Sequence, residues 1–154
     1  MESVQVREGV VVAYEDDCFA PPWLDSEVVM LTHGIAESRR SWTLWVPIMA
    51  SSFRVIRPDL PGLGRSPFPP DYDWTPRQFA SDLMRLLDAL EIERLHLIGA
   101  KYGGTISMQL ASDFPDRIKT LSIFSSPTTG LNSDEADRVR TSGLHQWAQD
   151  TQRD

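Results

Sequence analysis

The stretch that decides the fold is Leu95-His96-Leu97-Ile98-Gly99-Ala100-Lys101-Tyr102-Gly103-Gly104. It begins as a short, largely apolar segment of the kind that forms a buried strand. The glycines that follow permit a sharp turn and close helix packing, because a residue without a β-carbon tolerates backbone approach. A helix is then predicted from about Gly104 to Phe114. The stretch therefore predicts a strand, a glycine-rich turn centred on Lys101, and a helix.

Strands and helices alternate along the rest of the chain. The predicted strands, in chain order, are Val4–Val6, Val10–Tyr14, Glu27–Thr32, Phe53–Arg57, Leu95–Ile98 and Ile118–Phe124. The first two form a hairpin. A helix over residues 42–49 is short or bent at Pro47, whereas the helix that starts at Thr75-Pro76 has a capping pattern and a long apolar stripe. Strands separated by helices predict an α/β fold, a mostly parallel sheet with helices on both faces.

Composition and charge limit what the chain can bind. Its 154 residues are 41% hydrophobic and 24% charged, as in one globular domain. A formal net charge of −7 repels phosphate backbones and anionic lipid head groups, so we expect no nucleic-acid and no membrane partner. Cys18 is the one cysteine, and the start of the chain lacks the pattern of a secretory signal. We therefore predict a cytoplasmic protein.

Three glycine-containing motifs follow predicted strands. They are His33-Gly34-Ile35-Ala36-Glu37-Ser38, Asp59-Leu60-Pro61-Gly62-Leu63-Gly64-Arg65-Ser66 and the turn Gly99–Gly104. In this order they resemble the α/β-hydrolases of the enol-lactonase, esterase and epoxide-hydrolase type, whose nucleophile lies in a G-x-S-x-G turn, the nucleophile elbow. The resemblance implies a truncated α/β-hydrolase core over residues 1–130, with about six of that fold's eight strands. Residues 131–154 would begin a cap or form a terminal helical segment.

The resemblance also implies roles for individual residues. Lys101 stands at the nucleophile position, and the backbone N–H groups of Ile35 and Tyr102 would form the oxyanion hole. The residues that support the motifs are His33, Gly34, Asp59, Gly99, Gly103 and Gly104.

We expect no cofactor and no metal site. No cluster of His, Cys, Asp or Glu has the spacing of metal ligands. The acidic pairs Asp16-Asp17 and Asp71–Asp73 are interpreted as solvated loop charges.

Lys101 departs from the family pattern, which has Ser, Asp or Cys at this position. An ammonium ion cannot attack a carbonyl group. The turn opens a helix whose positive N-terminal end disfavours a cation, which leaves a lysine nucleophile that forms a Schiff base as one hypothesis. The other hypotheses are a lost nucleophile and a non-catalytic homologue, in which Lys101 helps to bind a small carbonyl or carboxylate compound.

The acid and the histidine of a catalytic triad are also not found in the sequence. No Asp or Glu directly follows Ile118–Phe124, and neither His33, His96 nor His145 is placed to complete a triad. We therefore expect a fragment of a hydrolase related to those of small carboxylic esters or lactones, not competent for ester hydrolysis as written. Residues 118–124 would then form an apolar edge strand through which the chain could self-associate.

Overall fold

The computed structural model of the chain describes residues 1–127. Within these residues the strands and α-helices, in chain order, are β1 Glu2–Arg7, β2 Val10–Asp17, β3 Val28–Thr32, α1 Val46–Met49, β4 Arg54–Pro58, α2 Pro76–Ala89, β5 Leu95–Ala100, α3 Tyr102–Asp113 and β6 Ile118–Phe124. Single turns of 3-10 helix lie at Arg39–Trp42 and Pro115–Arg117. All six predicted strands are confirmed. The predicted segment 131–154 lies outside the described residues.

The strands form one sheet in the order β1-β2-β4-β3-β5-β6. β2 pairs antiparallel with β1 and β4, whereas β3, β4, β5 and β6 run parallel to one another. The prediction of a mostly parallel sheet is therefore confirmed. Because β4, β3 and β5 are adjacent and parallel, the loops that follow them meet at one edge, where open α/β sheets bind their ligands.

The sheet is covered on both faces because successive side chains of a strand point to opposite sides. Met30 of β3 packs into the larger core with residues of α2 and α3, whereas its neighbours Val29 and Leu31 pack on the other face. There they contact Trp42 of the 3-10 turn and Val46, the first residue of α1. The helix predicted over residues 42–49 is short, as Pro47 indicated.

A buried carboxylate joins the hairpin to α2. Asp82 is fully buried and accepts hydrogen bonds from Arg7 Nε at 2.9 Å and from the Tyr72 hydroxyl at 2.8 Å. Gln78 and Arg85 of the same helix donate to it as well. Burial and the nearby Asp82 charge raise the pKa of Tyr72, which therefore remains a hydrogen-bond donor.

One local prediction was wrong. Asp16 and Asp17 lie in β2, and they pair with Arg54 and Arg57 of the neighbouring strand instead of standing as solvated loop charges. Opposite charges on paired strands attract, which the sequence pattern alone did not show. Helix α3 begins at Tyr102, close to the predicted start at about residue 104.

β6 lies at the edge of the sheet formed by the described residues. Leu121, Ile123 and Phe124 are 37%, 38% and 44% exposed in the same part of the chain. The predicted apolar edge strand is present there, and self-association through it stays a prediction. None of the helices within residues 1–127 is long and apolar enough to span a bilayer.

Candidate active site

The turn between β5 and α3 holds its central residue in an unusual backbone conformation. Lys101 has φ 53° and ψ −128°, in the left-handed half of the Ramachandran map that side chains other than glycine rarely adopt. Its N–H donates to the carbonyl oxygen of Phe124 on β6 at 2.9 Å. Such outliers persist only where the surrounding structure enforces them, and they concentrate at functional sites.

Close packing beneath the turn enforces this conformation. A β-carbon on Gly99 would lie 2.6 Å from the Gly104 Cα atom, and one on Gly103 would lie 2.3 Å from the His33 carbonyl oxygen. Two buried hydroxyls complete the support: the Thr32 and Ser107 oxygens are 2.7 Å apart, and each also contacts the Gly103 carbonyl oxygen. The start of α3 is therefore held directly against the end of β3.

His33 links the loops that follow β3 and β4. It is fully buried, and its Nε2 accepts the Leu60 backbone N–H at 3.1 Å. Nδ1 must then carry the proton, which it donates to the Gly34 carbonyl oxygen at 2.8 Å. Burial lowers the pKa of His33, although the Gly34 carbonyl and Asp59 partly oppose that effect. His33 is a neutral structural residue, with neither ring nitrogen free to act as a general base.

The lowered pKa of His33 predicts a pH dependence of stability. Below its ordinary pKa of 6.5 the unfolded chain binds a proton that the folded chain does not, so stability is lost as the pH falls from about 6.5 toward the lowered folded value. We expect a slope of up to about 1.4 kcal/mol per pH unit from this one proton. In His33→Gln, whose amide oxygen can still accept the Leu60 N–H, that part of the slope should disappear. Urea unfolding between about pH 5 and 7 measures it, and parallel profiles for the two proteins would contradict the assignment.

Asp59 also links the loops that follow β3 and β4. Its fully buried carboxylate accepts the backbone N–H groups of Arg39 at 2.7 Å and Arg65 at 2.8 Å. The Arg39 guanidinium also donates to it at 2.5 Å. A β-carbon on Gly64 would lie 2.3 Å from the Asp59 carboxyl carbon, so only glycine fits where the second loop passes over the carboxylate. Asp59 therefore shapes the loops and is not exposed to react.

The Lys101 side chain lies across the β3 loop and ends at a carboxylate. A β-carbon on Gly34 would lie 2.9 Å from Lys101 Cβ, and the Lys101 ammonium group pairs with Glu37. The other oxygen of Glu37 accepts the Gly34 N–H at 2.9 Å. Burial alone would raise the pKa of Glu37, but the hydrogen bonds from Lys101 and Gly34 lower it below its ordinary value. Glu37 therefore places a negative charge beside the Lys101 side chain.

Two backbone donors remain open at this site. Within residues 1–127 neither the Ile35 N–H nor the Tyr102 N–H has a hydrogen-bond acceptor. Tyr102 is the first residue of α3, where the first N–H groups of a helix carry its partial positive charge. The two N–H groups directly follow Gly34 and Lys101, which lie close together.

The structure brings together the residues that the motifs singled out and adds others. Sequence reasoning missed Glu37 as the partner of Lys101, and it missed the hydroxyls of Thr32 and Ser107. The position of Glu37, three residues after Gly34, was a signal, because a carboxylate at that spacing can accept the glycine N–H. His96, at the opposite end of β5, binds Glu27 and Thr120. His145 lies outside the described residues.

Comparison with known proteins now identifies the family. Residues 27–154 match the model of the alpha/beta hydrolase fold family. The chain belongs to this family. The match includes the loops after β3 and β4 and the turn after β5, so the α/β-hydrolase resemblance of the three motifs is confirmed.

Relatives of this alpha/beta hydrolase have several activities. It is 36% identical over 101 residues to 2-hydroxymuconate semialdehyde hydrolase of Pseudomonas sp. strain CF600, covering 64% of this chain and 36% of that protein. This chain is also 36% identical over 118 residues to an epoxide hydrolase of Caballeronia sordidicola, and the match covers 75% of this chain and 36% of that protein. The crystal structure of the enol-lactonase from Burkholderia xenovorans LB400 superposes with a TM-score of 0.79 at 25% identity, covering 97% of this chain and 57% of that one. The chain thus spans little more than a third of the length of these two curated relatives.

Proposed function

We propose that this alpha/beta hydrolase does not hydrolyse esters or lactones through the turn that follows β5, and that it binds a small carboxylate or carbonyl compound there. The observation that carries the proposal is the backbone of Lys101, with φ 53° and ψ −128° between a parallel strand and a helix. In this family that position is the nucleophile elbow, and here a lysine occupies it. The proposal does not depend on whether the chain is a fragment, which stays a prediction.

The loss of acyl transfer follows from the charge of Lys101. A nucleophile needs a free electron pair, and an ammonium group paired with a carboxylate has none to offer. The same pairing speaks against a Schiff base, which requires the neutral amine.

Ligand binding follows from the donors that the site retains. The N–H groups of Ile35 and Tyr102 would be the oxyanion hole of a hydrolytic relative, and without a nucleophile they can still hold an oxygen. The Lys101 ammonium group, 61% exposed at its side chain, adds a positive charge beside them. A carboxylate complements two N–H donors and a cation, as anions do at helix N-termini.

Replacing Lys101 by alanine should remove carboxylate binding. A ligand present at about 100 times its Kd adds about 2.7 kcal/mol to the free energy of unfolding, and we expect most of that gain to vanish in Lys101→Ala. The measurement is the shift in thermal midpoint with acetate and other small monocarboxylates. Lys119→Ala is the matched control, because Lys119 also pairs with a carboxylate, that of Glu27, at a distant place on the sheet.

Two outcomes would contradict the proposal. One is an unchanged response to carboxylates in Lys101→Ala. The other is turnover of an activated ester such as p-nitrophenyl acetate by the wild-type chain that disappears in Lys101→Ala, since it would make Lys101 a catalytic residue. Borohydride trapping with small aldehydes tests whether Lys101 acts through a Schiff base, because a mass adduct at Lys101 would demonstrate one.

A further inference from the structure

A cleft of about 590 Å³ lies between the loops that follow β3 and β4. Residues 36–41 with Thr43 form one side, Gly64 and Arg65 belong to the other, and Glu15 and Arg57 also line it. Lys101 is not among the residues that line the cleft, but Glu37, the partner of Lys101, is one of them. The cleft is therefore adjacent to the turn and shares Glu37 with it.

More positive than negative side chains line this cleft. Four arginines line it against two carboxylates, Glu15 and Glu37. Both carboxylates are already engaged, Glu15 with Arg39 and Arg57, and Glu37 with Lys101. Arg39 and Arg57 have further partners in Asp59 and Asp17. Within residues 1–127 the guanidinium groups of Arg40 and Arg65 have no ion-pair partner, and both residues are exposed.

The backbone brings these two arginines to the same cleft. The Asp59 carboxylate binds the N–H of Arg39 through one oxygen and the N–H of Arg65 through the other. Arg40 directly follows Arg39, so the two side chains extend from backbone that is fixed to one buried group. Such anchoring lowers the entropy that a binding site loses when it closes on a ligand.

We propose that Arg40 and Arg65 form a binding site for the carboxylate group of a small molecule, separate from the donors at the turn. A guanidinium group binds a carboxylate through two parallel N–H···O bonds, and two such groups would hold a dicarboxylate. The hydroxyls of Ser38, Ser41 and Thr43 on the cleft wall can supply further hydrogen bonds. Because the chain has a net charge of −7, the positive charges of Arg40 and Arg65 direct a small anion to the edge of the sheet that also holds Lys101.

The test is an NMR titration of the full chain with malonate at an ionic strength of about 0.01 M, where screening is weak. Saturable shifts are expected in the amides of residues 38–41 and 64–65. In the double variant Arg40→Gln/Arg65→Gln the affinity should fall at least about tenfold. The matched control is Arg77→Gln/Arg94→Gln, which removes the same charge from two other exposed arginines and should leave the affinity within about twofold.

Each remaining outcome decides against the site. Equal weakening in both double variants would mean that malonate responds only to net charge. Saturable shifts with inorganic phosphate but not with malonate would overturn the assignment to a carboxylate. Lys101→Ala separates this inference from the proposed function: malonate shifts near residues 38–41 should survive it, and their loss in that variant would mean that the cleft is not an independent site.

Discussion

Replacing Asp59 by alanine is expected to lower the free energy of unfolding by about 3–5 kcal/mol. The substitution removes the acceptor of two buried backbone N–H groups and leaves the Arg39 guanidinium, only 10% exposed at its side chain, without its closest carboxylate. Arg39 would keep only Glu15 as a carboxylate partner, and a buried charge that loses part of its pairing is costly in a protein interior. Urea unfolding followed by circular dichroism measures the loss.

Asp16→Ala is the matched control for this prediction. Asp16 also pairs with an arginine, Arg54, but both side chains are partly exposed, and such pairs contribute at most about 1 kcal/mol. Asp59→Asn should lie between the two, because the amide oxygen keeps one acceptor while the negative charge is lost. Similar stabilities for Asp59→Ala and Asp16→Ala would refute the view that Asp59 holds the two loops.

Replacing Gly103 by alanine is expected to lower the free energy of unfolding by about 3 kcal/mol. The new β-carbon would lie 2.3 Å from the His33 carbonyl oxygen and 2.5 Å from that of Thr32, both of them backbone atoms. Alanine is the better helix former by about 1 kcal/mol, so a loss of stability cannot come from helix propensity. To relieve the contact, α3 must move away from β3 and carry the Lys101 turn with it. The same unfolding experiment measures the effect.

Gly9→Ala separates steric contact from backbone preference. Gly9 has φ 71°, and a β-carbon added there would meet nothing within 4 Å, so its substitution should cost only about 1–2 kcal/mol of left-handed strain. An amide spectrum of Gly103→Ala should also show shifts at Ile35 and Tyr102. If Gly103→Ala is as stable as the wild-type chain, α3 does not depend on close contact with β3.

The sequence alone allowed the six strands, the mostly parallel sheet and the sharp turn around Lys101 to be predicted. These features depend on neighbours in the chain: apolar runs form strands, and Gly99, Gly103 and Gly104 stand where a strand must turn into a helix. The wrong prediction concerned contacts between residues that are distant in the chain. Asp16 and Asp17 were interpreted as loop charges because the arginines that face them from β4 are about 40 residues away in the chain.

The contacts that decide the chemistry of the site could not be predicted in this way. Glu37 and Lys101 are 64 positions apart, and Thr32 and Ser107 are 75 apart. Their meeting requires β3 and β5 to be adjacent and parallel, a consequence of the packing of the whole sheet. The presence of a lysine in the turn was therefore determined by the sequence, whereas its partner and its direction were decided by the tertiary structure. A side chain's chemistry depends on the groups around it, and here those groups come from strands that only the fold places side by side.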